Sequence, residues 1–238
     1  MKIIVIGGDA AGMSAASQIK RQKPGYEVTV FERGQYISYA ACGIPYYIGG
    51  AVSRLDDLIE VSPQEAREKR KVDLRLGHTV TAIDTVGHTV IVEANGKLSE
   101  EPFDRIVIAT GARPETMGMD LSEYRNAFTM NDLLDAGKIK RFIAEKKPGR
   151  IAVIGGGYIG IEAVEAFTGL GIETMLVHRR TELQRSFEQE ISEIILKKMV
   201  ENGVTLCLGS AVSGLEQKKE GIVVMTDTGP IECDAVLL

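Results

Sequence analysis

Two stretches of unbroken apolar residues organise the chain. Ile3–Ile6 runs into Gly7-Gly8, and Ile151–Ile154 runs into Gly155-Gly156-Gly157. Continuous apolar runs bounded by glycine predict strands buried on both faces. A helical pattern follows each run, and a second apolar run follows that: Glu27–Phe31 and Glu173–Val177. Strand, helix, strand at this spacing predicts a parallel βαβ unit. IIVIGGDAAG and IAVIGGGYIG lie 148 residues apart, so the unit is an internal repeat.

Other elements follow from local pattern. A helical piece and a turn are expected after Pro45. Ser62-Pro63 predicts a helix from Gln64 to about Lys71, with serine as N-cap and proline in the first turn. Residues 78–94 alternate as a hairpin or meander turning at Val86-Gly87-His88. Arg105–Gly111 reads as a buried strand ending in glycine. Residues 115–148 read as mostly helical, ending in a Lys146-Lys147-Pro148-Gly149 linker. Residues 186–202 form an amphipathic helix stopped by Asn202-Gly203, and the remainder alternates as short strands. Cys233–Leu238 reads as a core strand that should continue, so the chain is expected to be truncated. The fold class expected is α/β, with two Rossmann-like three-layer units divided as 1–114 and 115–238.

Composition narrows the function. The chain has 238 residues, 44% hydrophobic content and a formal net charge of −5. That charge, with no tryptophan and 5% aromatics, argues against a nucleic-acid partner or a membrane-surface partner. No apolar run reaches transmembrane length, and the N-terminus lacks the pattern of a secretory signal, so a cytoplasmic protein is expected. Cys42, Cys207 and Cys233 lie far apart with no CxxC spacing, which implies reduced thiols. The three scattered histidines imply no metal site.

Candidate chemistry lies at the glycine turns and between them. Gly7, Gly8 and Gly12 let backbone amides approach a pyrophosphate at a helix N-terminus. Asp9 stands where the usual pattern has its middle glycine, and its charge would have to turn away. Glu32, twenty residues past Gly12, can accept hydrogen bonds from an adenosine ribose. The second loop is complete, with Gly155, Gly157 and Gly160. His178 stands at the position matching Glu32, followed by Arg179 and Arg180. Two guanidinium groups and no carboxylate favour a 2′-phosphate, hence NADPH over NADH. Cys42 lies between the loops, ahead of a helix start at Pro45 that would stabilise a thiolate. A depression of about two pKa units would favour thiolate by roughly 2.7 kcal/mol. Cys207 and Cys233 sit in apolar strand patterns and read as buried structural thiols.

GGDAAG, Glu32, SYAACGIPYYIGG, IVIATGARP and VIGGGYIGIEA resemble the flavin-dependent pyridine nucleotide-disulfide reductases. The resemblance is to the single-cysteine branch of coenzyme A-disulfide reductases, NADH-dependent persulfide reductases, and NADH oxidases and peroxidases. Cys42-Gly43-Ile44-Pro45-Tyr46-Tyr47 is more similar to the first two. The resemblance implies the N-terminal part of an FAD-binding domain over 1–114, incomplete here for want of the glycine-aspartate motif that closes over the flavin, and an NAD(P)H-binding domain over 115–238. It places FAD on Gly7, Gly8, Ala11, Gly12, Glu32 and Arg33, with Val80 at the adenine through its backbone. Ala109, Thr110, Gly111 and Arg113 would run along the cofactor, and Ser38 would face the flavin with Cys42. It places the nicotinamide nucleotide on Gly155, Gly157, Tyr158, Ile159, Gly160, Glu162, His178, Arg179 and Arg180, with Tyr158 as a gate. Coenzyme A would run from Cys42 past Arg21 and Lys71. Ala41 departs from the asparagine found there in several members. Relatives are roughly twice as long, so a C-terminal dimerisation domain is implied to be absent here and the full-length protein to be a homodimer (domain sizes of this order are ordinary).

The activity implied carries hydride from NAD(P)H through FAD to a Cys42–coenzyme A mixed disulfide, reducing a small-molecule disulfide or persulfide. One alternative is an NADH oxidase or peroxidase cycling Cys42 through a sulfenic acid, although no histidine lies near Cys42 in sequence. The other is a non-catalytic nucleotide-binding fragment.

Overall fold

A computed structural model describes residues 1–183 and 188–238. The chain begins with β1 (Lys2–Ile6), α1 (Ala10–Gln22) and β2 (Glu27–Glu32), then α2 (Ile44–Ile48), α3 (Pro63–Glu68) and β3 (Asp73–Leu76). A meander of β4 (Thr79–Asp84), β5 (Thr89–Ala94) and β6 (Lys97–Pro102) leads to β7 (Arg105–Ile108). There follow β8 (Ala127–Phe128), α4 (Leu133–Lys146), β9 (Arg150–Ile154), α5 (Tyr158–Gly169) and β10 (Glu173–His178). The last elements are α6 (Gln189–Glu201), β11 (Thr205–Leu208), β12 (Val212–Gln217), β13 (Ile222–Thr226), β14 (Gly229–Cys233) and β15 (Ala235–Leu237).

Contacts divide the chain into two compact units, Met1–Ala40 with Asp56–Ala112, and Ala41–Leu55 with Arg113–Leu238. This differs from a single cut after residue 114. Ile44, Pro45 and Ile48 are the buried face of α2, and α2 packs on α4 and α5 of the second unit.

In the first unit a parallel sheet runs β3-β2-β1-β7. Successive β1 residues face opposite ways. Ile3 and Val5 pack with Met13 and Ala16 of α1, while Ile4 and Ile6 pack with Val90 and Val92 of the meander. Helix, parallel sheet and antiparallel sheet are the three layers. The second unit repeats them, with the parallel order β11-β10-β9-β15-β8. Ala152, Met175 and Val177 face Ile222, Val224 and Cys233 of the second meander. The repeat extends past the βαβ motif: each meander delivers a return strand, β7 or β15, to the strand that leads into its glycine loop, β1 or β9.

Local signals that act within one turn appear where expected. Ser62 Oγ accepts from the Glu65 amide, capping α3. Asn202 ends α6 and Gly203 takes a left-handed φ of 81°. Three expectations are corrected. Within 115–148 only Leu133–Lys146 is a long helix, because Ala127–Phe128 is drawn into the sheet beside β15. β7 is an edge strand, with Ile108 63% exposed, so it is not buried. The helix expected from residue 186 begins at Gln189 among the described residues; Ser186 and Phe187 lie outside them.

Candidate nucleotide and thiol sites

Both glycine loops are built to bring a helix onto a strand. A Cβ on Gly12 would sit 1.8 Å from the Gly7 carbonyl oxygen, and one on Gly160 would sit 1.9 Å from that of Gly155. No side chain but hydrogen fits at either position. Gly7 and Gly155 take φ values of 100° and 110°, which turn the chain from strand to helix. Neither Asp9 nor Gly157 caps its helix through a side chain, and neither first turn holds an acidic residue. By contrast, Ser62 and Asp132 cap α3 and α4 with side-chain oxygens. No side chain therefore competes with an anion at the N-termini of α1 and α5. That donor set fits the pyrophosphate of a dinucleotide at each loop.

Asp9 turns aside. Its Oδ1 accepts from the Tyr39 amide at 3.2 Å. Glu32 takes a role that its position alone did not reveal: Oε2 accepts from Gly8 N–H at 2.7 Å and Oε1 from Gly34 N–H at 2.6 Å. Ser38 joins this turn through its amide, bonded to the Gly8 carbonyl at 3.1 Å. Ala109 closes the loop from below, its amide bonded to the Ile6 carbonyl and its own carbonyl against Gly7. Thr110 and Gly111 follow it and are exposed, as are Ala11 and Arg33. Arg113 is exposed and begins the second segment of the second unit. Val80 is half-buried in the meander and paired to Val92.

In the second unit His178 Nδ1 accepts from Gly156 N–H at 3.1 Å. Gly155, His178 and Arg179 line one cavity of about 430 Å³, while Arg180 is not among its lining residues. Ser210, missed in sequence, lines it too, and its amide donates to the His178 carbonyl at 2.9 Å. Its signal was Gly209, which turns β11 at a φ of 65°. Burial, then Arg180, holds the His178 pKa below the usual range; a backbone hydrogen bond to Glu182 opposes this and Arg179 adds to it. Tyr158 and Ile159 are exposed at the start of α5, and Glu162 is half-buried one turn on.

Cys42 is exposed in a single 3₁₀ turn, Ala41–Gly43, just ahead of α2. Cys207 is half-buried and Cys233 buried; burial raises both thiol pKa values, that of Cys233 to about 11. Lys71 takes a left-handed φ of 55° and lines a cavity of about 410 Å³ with Lys2, Lys20 and Arg75. Arg21 is exposed on α1, bonded to Gln18, and is not among that cavity's lining residues. Among the described residues no group of three or more His, Cys, Asp or Glu is placed to hold a metal, and no helix is long and apolar enough to cross a membrane.

A family model described as pyridine nucleotide-disulphide oxidoreductase matches residues 1–238. The chain belongs to that family. It is 38% identical over 237 residues to the NAD(P)H sulfur oxidoreductase (CoA-dependent) of Pyrococcus abyssi (strain GE5 / Orsay), covering 99% of this chain and 52% of that protein. The crystal structure of reduced Bacillus anthracis CoADR-RHD superposes with a TM-score of 0.94 at 32% identity, covering 100% of this chain and 43% of that one. The water-forming NADH oxidase from Lactobacillus brevis bound to NADH gives a TM-score of 0.93 at 31% identity, covering 100% and 53%. The chain spans about half the length of the curated relatives it matches.

Proposed function

We propose that this family member works as an FAD-dependent NAD(P)H:disulfide oxidoreductase acting on coenzyme A disulfide or a persulfide. The first unit is the FAD-binding domain and the second the NAD(P)H-binding domain. Two glycine-loop helices without side-chain caps coincide with one exposed cysteine in a chain whose other two thiols are half-buried or buried, and that coincidence carries the assignment. The relatives named for coenzyme A-dependent sulfur reduction support the same substrate class.

Bound FAD would supply a two-electron carrier between nicotinamide and sulfur. The chain's own residues do the rest. Gly7–Gly12 and the first amides of α1 hold one pyrophosphate, and Gly155–Gly160 with α5 holds the other. Arg179, beside Gly155 in the cavity, takes a 2′-phosphate. Cys42 holds coenzyme A as a mixed disulfide, and its freed thiolate attacks the next substrate disulfide. Lys71 and Arg21 offer positive charge to the coenzyme A phosphates, and the working molecule is a homodimer. Replacing Cys42 with serine tests this: disulfide turnover should vanish while NADPH still reduces the flavin. Surviving turnover would remove Cys42 from the mechanism.

A second reading is supported by the NADH oxidase among the similar structures. There Cys42 would pass through a sulfenic acid. Oxygen uptake with NADH that ignores coenzyme A would favour it.

A further inference from the structure

The two glycine loops are held by the same bond made with different chemistry. Gly8 N–H donates to a carboxylate, Glu32 Oε2, and Gly156 N–H donates to an imidazole, His178 Nδ1. The surroundings match as well. Gly7 N–H reaches the Phe31 carbonyl and Gly155 N–H the Val177 carbonyl, each at 2.9 Å. The imidazole is packed directly on its loop: a Cβ on Gly156 would come within 3.0 Å of the ring and of Leu183. Leu183 is anchored in turn, its amide donating to the buried Ser192 hydroxyl at 3.1 Å. A carboxyl group keeps an acceptor oxygen whether or not it is protonated. An imidazole accepts at Nδ1 only while that nitrogen carries no proton.

We infer that His178 is a positioning residue for the second glycine loop, which it sets while neutral and releases on protonation. Nucleotide binding at that loop then carries a pH dependence that the first loop lacks. The inference rests on the reading of this loop as the nicotinamide nucleotide site.

The groups around the ring give the sign. Burial disfavours the imidazolium most, the cationic Arg180 and, more weakly, Arg179 add to this, and the hydrogen bond with the Glu182 backbone opposes it. Glu115 lines the same cavity, with its Oε1 occupied by the Met117 amide at 2.7 Å. Cys207 on β11, opposite Val177, is kept neutral by burial. Among the described residues no group on β9, α5 or β11 adds to the shift. The folded ring therefore titrates below its usual value, and Nδ1 is an open acceptor at neutral pH. Lowering the pH through the folded pKa sets an Nδ1–H against Gly156 N–H, and the loop loses its support.

The test is NADPH affinity by fluorescence titration from pH 8 to pH 5 for the wild-type chain, His178→Gln and His178→Ala. Glutamine can accept from Gly156 N–H but does not titrate. The ligand's own phosphate titrates near pH 6 in every protein, so the difference between proteins is the readout. At pH 8 alanine should weaken binding about tenfold, the loss of one backbone hydrogen bond, and glutamine should recover most of it. On acidification the wild type should lose more affinity than His178→Gln. Equal losses in those two, or wild-type affinity in the alanine variant, would overturn the inference while leaving the nucleotide site in place. If the wild type binds neither NADPH nor NADH at pH 8, the nucleotide reading itself fails. NMR of the ligand-free chain then decides what is left: a Gly156 amide that titrates with the His178 ring keeps the switch, and one that ignores the ring removes it.

Discussion

Lys140 Nζ donates to the Tyr47 carbonyl at 2.6 Å and lies 4.0 Å above the ring of the same residue. One cation thus satisfies a carbonyl at the C-terminal end of α2 and covers its aromatic side chain. Cys42 precedes that five-residue helix, so the bond ties the thiol's segment to α4. Burial lowers the Lys140 pKa.

Lys140→Met should therefore cost about 1.5–2 kcal/mol, a charge-assisted hydrogen bond plus a cation–π contact offset in part by methionine packing. Urea denaturation measures the loss. The alkylation rate of Cys42 should change in the same variant, because its helix loses one fixed end. An unchanged melt and an unchanged rate would show that α2 is held by Ile44, Pro45 and Ile48 alone.

Gly160→Ala places a methyl group where the Gly155 carbonyl oxygen stands 1.9 Å away. The helix must back off the strand, at about 1–3 kcal/mol for overpacking. NADPH affinity should fall at least tenfold while flavin content holds. Gly12→Ala should show the reverse selectivity, losing flavin first. Paired NADPH titrations and flavin spectra of the two variants check this.

The three thiols should separate by rate. Cys42 is exposed, whereas Cys233 is buried with a pKa of about 11 and Cys207 is half-buried with a raised pKa. At pH 7.5 iodoacetamide should label Cys42 alone in the folded chain and all three in urea, as read by peptide mass spectrometry. Early labelling of Cys233 would mean that the second meander opens readily.

What the sequence revealed follows the range of the forces involved. Gly7, Gly12, Gly155 and Gly160 were legible because backbone approach permits only one residue type. The Ser62 cap was legible because it acts across three residues. Lys140 gave no signal: within KIKRF it reads as one solvated charge among several, and its partner lies 93 residues away. The bonds from Glu32 and His178 to the loops were hidden for the same reason, since position in the motif suggests a ligand contact before a backbone one. β8 was lost because a two-residue strand carries no period, and its existence depends on β15 arriving beside it.

Glu101 joins two cations, Lys2 at 2.8 Å and Arg75 at 2.6 Å, tying β6 to β1 and β3. Lys2, then Arg75 against the cost of burial, holds its carboxyl below the usual range. A carboxyl depressed on folding stabilises above its unfolded pKa, about 4.3, and that contribution is lost as pH falls through the folded value. Glu101→Gln should cost about 1 kcal/mol at pH 7 and nothing below the folded pKa. Thermal melts of both proteins across pH 2.5–7 would converge at the acid end; a constant gap would assign the effect to packing.

The proposed function requires two dinucleotide sites in this chain to feed one sulfur. The visible spectrum of the purified chain with FAD, before and after NADPH under anaerobic conditions, tests it most directly. A bound flavin band that bleaches on addition of NADPH is expected, with a slower or incomplete bleach in Gly160→Ala. A chain that retains no flavin, or a flavin band indifferent to NADPH and NADH alike, would contradict it.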